Sequence, residues 1–150
     1  MDGEMMTIEV TENPSTGDAA ILSQGIIDYN RAEIPDLESN DEEVKFFVFA
    51  RNGEDAIIGG VRAICFWNTL HIELLWLSEE CRGQGIGKGL IDAAENFAMQ
   101  RDCEKAFVET TSWQAKPFYE KNGYDHIATL QDRPKGHASH YLTKDLASGN

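Results

Sequence analysis

The sequence predicts an α/β chain of one domain, with a mixed, mostly antiparallel sheet and helices on both faces. Three observations carry that expectation. Short β-prone runs at 44–51, 56–67 and 71–77 follow one another across turn signals, as the strands of a meander do. The last of them enters a glycine-rich corner and a helix, after which 105–111 reads as another strand; a helix-linked crossover of this kind pairs its strands in parallel. Finally, 150 residues with 41% hydrophobic content suffice for a single sizeable core and do not fit a disordered chain.

Taken in order, residues 5–10 (M-M-T-I-E-V) are short and β-prone, an expected edge strand. Asn13-Pro14-Ser15-Thr16-Gly17 marks a turn or helix entry, and the apolar positions Ala20, Ile21, Ile26, Ile27 and Tyr29 predict an amphipathic helix over 18–32. Residues 33–43 hold six acids, no base and a proline, and read as a loop. Asn52-Gly53 between two β-prone runs is a hairpin signal, and Gly59-Gly60 predicts a bulge or a close backbone approach. A second tight turn is expected near Asn68-Thr69. After the glycine corner, Ile86, Leu90, Ile91, Ala94, Phe97 and Ala98 fall on one helical face, with Asp92, Glu95 and Gln100 elsewhere. Ser112 is placed to cap a further helix, which Pro117 delays to about Ala115 and Asn122-Gly123 ends. Residues 124–130 and 140–146 close the sheet as two strands around a turn at 132–136. The expected order is β-α-β-β-β-α-β-α-β-β, without repeats or a second domain.

The corner is Arg82-Gly83-Gln84-Gly85-Ile86-Gly87-Lys88-Gly89. Bare backbone at a helix N-terminus leaves N–H groups free beside roughly half a positive charge, which suits phosphate oxygens. A Walker loop is excluded, because Arg82 stands at its first glycine and Gly89 at its hydroxyl; a dinucleotide fingerprint is excluded because Lys88 stands at its third glycine. What fits is R-G-Q-G-I-G, which resembles the pyrophosphate-binding motif Q/R-x-x-G-x-G/A of the GCN5-related N-acetyltransferase (GNAT) family. The resemblance spans about 5–146 and implies the acyl-CoA N-acyltransferase fold, acetyl-CoA as co-substrate and transfer of its acetyl group to an amine. Before residue 44 the family often has two helices, and this sequence shows one.

The resemblance also implies roles for particular residues. Phe118-Tyr119-Glu120-Lys121-Asn122-Gly123-Tyr124 is similar to the family's F-Y-x-K-x-G-F/Y signature, whose tyrosine protonates the departing thiolate; a phenol near pKa 10 holds its proton at neutral pH. Glu73 interrupts an apolar strand, on the face that alternation assigns to Leu75 and Leu77. It reads either as the general base for the acceptor ammonium or as a structural ion pair with Arg62. Leu77 matches the position whose main-chain N–H faces the thioester carbonyl, a donor that contributes about 3 kcal/mol in such sites. Gly83, Gln84, Gly85, Ile86 and Gly87 would clasp the diphosphate, with Arg82 and Lys88 adding charge. Ser112 stands where relatives carry an asparagine on the pantetheine arm, and either Ser112 or Gln114 is available to replace it. Trp113, His137 and His140 are expected to border the acceptor pocket or to pack, and His71 is the first histidine to test.

A net charge of −13 argues against nucleic acid, whose binding draws on lysine and arginine, and is compatible with a cationic acceptor or with solubility alone. Cysteines at 65, 81 and 103 lack C-x-x-C spacing, so neither a disulfide framework nor a metal site is expected. No basic-then-apolar leader or membrane-length apolar run is seen, and a cytoplasmic setting is the simplest expectation. The predicted function is acetyl-CoA-dependent N-acetylation of a primary amine on a small cationic or polar molecule, by direct transfer in a ternary complex. Alternatives are a non-catalytic coenzyme A sensor and a protein-lysine or N-terminal acetyltransferase. A homodimer is one assembly such a chain admits.

Overall fold

The computed structural model describes residues 5–38 and 42–146, so part of the acidic 33–43 stretch, residues 39–41, lies outside the described residues. The chain divides into two compact units, Met1–Ser39 and Asn40–Asn150.

The first unit is built on helix α1 (Thr16–Glu33). It begins two residues earlier than periodicity suggests, because Ser15 caps it: the Ser15 Oγ accepts from the Asp18 N–H at 3.0 Å. None of its residues is buried, and Ile21, Leu22, Ile26 and Tyr29 are all exposed. The edge strand expected at 5–10 is not found: those residues have no ladder partner among the described residues, and Met5, Met6, Ile8 and Val10 are exposed. β-propensity alone does not make a strand where no neighbouring edge accepts its hydrogen bonds.

The second unit is a six-stranded sheet of β1 (Val44–Arg51), β2 (Ile57–Phe66), β3 (Thr69–Leu77), β4 (Lys105–Thr111), β5 (Asp125–Gln131) and β6 (Ala138–Asp145), ordered β1-β2-β3-β4-β6-β5. Only β3 and β4 pair in parallel, as the crossover through α2 (Ile86–Met99) requires. The β1–β2 hairpin forms, but through residues 52–56 rather than a two-residue Asn-Gly turn. Asn52 Oδ1 accepts from the Glu54 and Ala56 N–H groups, and Asp55, not Gly53, takes the positive φ of 67°. Trp67 and Asn68, at φ 50° and 53°, make the tight β2–β3 turn.

Val61, Ala63 and Cys65 of β2, Leu70 and Ile72 of β3, Ala106 and Val108 of β4, and Leu142 of β6 form one buried layer. Leu90, Ile91, Ala94 and Ala98 of α2 pack on it at the 3- and 4-residue spacing of a buried helical face. Full burial of side chains such as Ile72 and Ile91 is worth about 1.5–3 kcal/mol each. Glu95, expected off this face, is buried on it: its carboxylate accepts from Tyr124 Oη at 2.8 Å and from Lys144 Nζ at 2.9 Å, which satisfies the charge. Helix α3 (Lys116–Lys121) brings Tyr119 into the same core, with Ala115 and Phe118 packed against it. Its N-cap is Ala115, not Ser112, and Pro117 sits in its first turn, where no backbone donor is missed.

Candidate active site

Two features of β3 open the sheet. A bulge places Ala63 opposite Ile72 and Arg62 opposite Leu74, leaving Glu73 as the extra residue. Parallel pairing with β4 also stops at Ile72 and Val108. Beyond those residues the strands border a cleft of about 550 Å³, lined on one side by 73–77 and on the other by 108–110 and 113–115, with Arg82, Phe118 and Tyr119 closing it.

The bulge corrects the expected alternation. Leu75 and Leu77 register with Val61 and Gly59 on the core face, whereas Glu73 turns to Arg62, whose Nε donates to its Oε1 at 2.8 Å. Glu73 therefore does not share a face with Leu75 and Leu77, and it stands in the ion pair that was one of its two readings. Downstream, the Ser78 N–H donates to Ile58 O at 2.9 Å; alternation turns the Leu77 N–H the opposite way, toward the open edge. Close packing holds that edge in place. A Cβ on Gly59 would lie 2.7 Å from Leu77 Cδ2, and one on Gly87 would lie 3.0 Å from Phe118 Cε1 and 3.4 Å from Leu77 Cδ1. Gly59 is thus the close approach its sequence suggested.

At the corner, Gly83 and Gly85 both take φ 80°, a left-handed conformation that side chains resist. Gly85 is the N-cap of α2 and offers no side-chain cap, and the first turn holds no acid. The first N–H groups of a 14-residue helix are therefore free for an anion. Arg82 lines the cleft and has no ion-pair partner among the described residues. Lys88 instead bonds Asp92 one turn along, at 2.7 Å, and the hydrogen bond and charge of Asp92 raise its pKa. Gln84 donates to Glu80 O at 3.0 Å.

Tyr119 is buried, and burial holds its phenol well above the usual tyrosine pKa. Its ring packs edge-on to Phe118 and Tyr124, and its hydroxyl has no hydrogen-bond partner among the described residues. Such a group stays protonated and has a proton to give. Tyr124 is raised as well, by burial first and by Glu95 next, but its hydroxyl is engaged in the core. Ser112 is taken up by β6: its Oγ donates to Ala138 O and accepts from the Ala138 N–H at 2.7 Å. Gln114 accepts through Oε1 from the Thr111 N–H at 3.0 Å, which leaves its amide NH₂ to the cleft it lines.

Of the histidines, His137 packs edge-on to the exposed, cleft-lining Trp113, and His140 hydrogen-bonds Thr129. His71 is not brought to the cleft; it lies beside Phe107 in a separate shallow pocket with Glu43 and Ile64. All three cysteines are buried, and none is joined to another in a disulfide. Among the described residues no group of three acids, histidines or cysteines could hold a metal, and no helix is long and apolar enough to cross a membrane. Sequence reasoning named Gln114 as an alternative to Ser112 but missed Glu109 and Trp76. Alternation from buried Val108 would have turned Glu109 outward, but only the β3–β4 register puts it at the cleft.

With this geometry in place, comparison with known proteins is informative. The family model described as "Acetyltransferase (GNAT) family" matches residues 9–124. A blasticidin-S acetyltransferase of Streptomyces morookaense is 36% identical over 113 residues, covering 75% of this chain and 82% of its own. An Agrobacterium fabrum acetyltransferase is 29% identical over 119 residues, covering 79% and 84%. Among solved structures, an acetyltransferase from Bacillus cereus superposes with TM-score 0.78 at 28% identity, over 91% of this chain and 97% of that one.

Proposed function

The chain belongs to the GNAT family of acetyltransferases, and from that premise we propose an acetyl-CoA-dependent N-acetyltransferase that acts by direct transfer on a primary amine of a small, cationic or polar acceptor. The observation that carries this reading is one cleft lined both by Tyr119 and by Arg82, the residue that leads into the glycine corner and the uncapped N-terminus of α2. The residues present fit the co-substrate: the glycine corner, the uncapped first turn of α2 and Arg82, which has no ion-pair partner among the described residues, suit a diphosphate, and the open β3 edge suits an extended amide-bearing arm. Gln114 takes the arm contact that Ser112, bonded to Ala138, leaves vacant.

Acetyl-CoA supplies an activated acyl group. The Leu77 N–H faces the carbonyl oxygen as negative charge develops there. Tyr119 gives its proton to the leaving sulfur. Glu73, oriented by Arg62 and four residues back along β3 from Leu77, takes the proton that the acceptor ammonium must lose through a relay of water. The buried cysteines have no part in it, and direct transfer requires no covalent enzyme intermediate. The family match runs through both compact units and supports treating them as one catalytic domain.

The test is thiol release from acetyl-CoA with a panel of amines. The panel includes blasticidin S, because a relative is named for it, and a lysine peptide as the protein-acceptor alternative. Turnover is expected with small amines and should drop about 100-fold in Tyr119→Phe and in Glu73→Gln. Unchanged rates in both variants would remove those roles. Coenzyme A binding without turnover of any amine would leave a sensor instead of an enzyme.

A further inference from the structure

The last parallel pair of β3 and β4 is Ile72 with Val108, so Glu73 and Glu109 are the next residues on the two strands, at the point where the sheet opens. Val108 is buried on the α2 face, and alternation turns Glu109 to the opposite face. Glu73 shares that face through its contact with Arg62. Each carboxylate is held from its outer flank by one arginine: Glu73 by Arg62 of β2, Glu109 by Arg133 of the β5–β6 turn. Arg133 is itself fixed by the fully buried Ser139, which accepts from its guanidinium at 3.0 Å and donates to its carbonyl at 2.8 Å. Both carboxylates also line the cleft. At 34% side-chain exposure for Glu109 and 53% for Arg133, their pair is weak enough for a competing cation to replace.

Resting on the acyl-transfer reading above, we propose that Glu109 selects the acceptor by binding a second cationic group, separate from the amine that is acetylated. Arg133 is the counter-ion that holds the carboxylate until such a group arrives. The reacting amine must surrender its charge before it attacks, so it cannot keep an ionic anchor; a distal ammonium can. From Glu73 to Leu77 the strand rises about 13 Å, and the reach of the Glu109 side chain shortens the span to be bridged to several methylenes. The acceptor class is therefore a diamine or another amine that carries a remote cation.

The experiment compares putrescine with 4-aminobutanol and hexamethylenediamine with 6-aminohexanol, measuring kcat/KM for each by thiol release. The wild type should prefer the diamine of at least one pair by roughly tenfold, the scale of one charged contact. Glu109→Gln should abolish that preference, and Arg133→Ala should increase it, since the competing cation is gone. A purely structural pair predicts the same direction for both variants, seen as lowered melting temperatures with the preference unmoved. Wild-type turnover without preference, or a preference kept within twofold in Glu109→Gln, overturns the inference and leaves the enzyme assignment standing. If Glu109→Gln does not fold, the Arg133→Ala result decides alone. No turnover with any of the four amines overturns the inference, while the enzyme assignment is decided by the wider amine panel.

Discussion

The two halves of β3 have the same neighbours in sequence and opposite lives in the structure. From Thr69 to Ile72 the strand is paired on both edges and buries Leu70 and Ile72 completely. From Glu73 to Leu77 it keeps β2 but loses β4, and Leu74 and Trp76 are exposed. One bulged residue separates the regimes. The closed half contributes core and fixes register; the open half has no ladder partner on its β4 side among the described residues. Core burial and cleft lining are thus divided along a single strand, at Glu73.

Mutations should respect that division. Ile72→Ala, in the closed half, should lower unfolding free energy by about 2–5 kcal/mol in a urea titration; a loss under 1 kcal/mol would mean the core is not centred there. Alkali should come next in size. Above about pH 10 the tyrosines of the unfolded chain lose protons, while burial keeps Tyr119 and Tyr124 protonated in the fold. The unfolded state then binds fewer protons, so stability falls as pH rises, by about 1.4 kcal/mol per pH unit for each group. Tyr119→Phe and Tyr124→Phe should each remove one share of that slope, and stability that stays flat to pH 11 would contradict their burial. The smallest effect belongs to the open half: Arg82→Ala should raise KM for acetyl-CoA about tenfold without shifting the melting temperature. A melting shift with KM unchanged would return Arg82 to a structural role.

Much of this was legible in the sequence, for identifiable reasons. The meander, the parallel crossover and α2 announced themselves through periodicity and glycine placement, and the R-G-Q-G-I-G corner has the uncapped helix start it implied. What stayed hidden depended on partners distant in the chain. Residues 5–10 have strand propensity and no ladder among the described residues. Glu95 looks solvent-facing until Lys144 and Tyr124 arrive from beyond β4. The bulge at Glu73 reverses the alternation of the residues after it, and no local pattern encodes it, because it is a property of the β2–β3 register. Ser112 was matched to a family contact by position, yet its hydroxyl meets Ala138, 26 residues away.

Leu77 has one further consequence. Its two methyl groups reach Gly59 on one side and Gly87 on the other, so a single side chain is the spacer between β2 and the first turn of α2. If the cleft holds the carrier molecule proposed above, that spacer would gauge it: widening either contact by a methyl group would push the two sides apart and carry the acyl carbon out of line with its nucleophile, with every proposed catalytic side chain left in place.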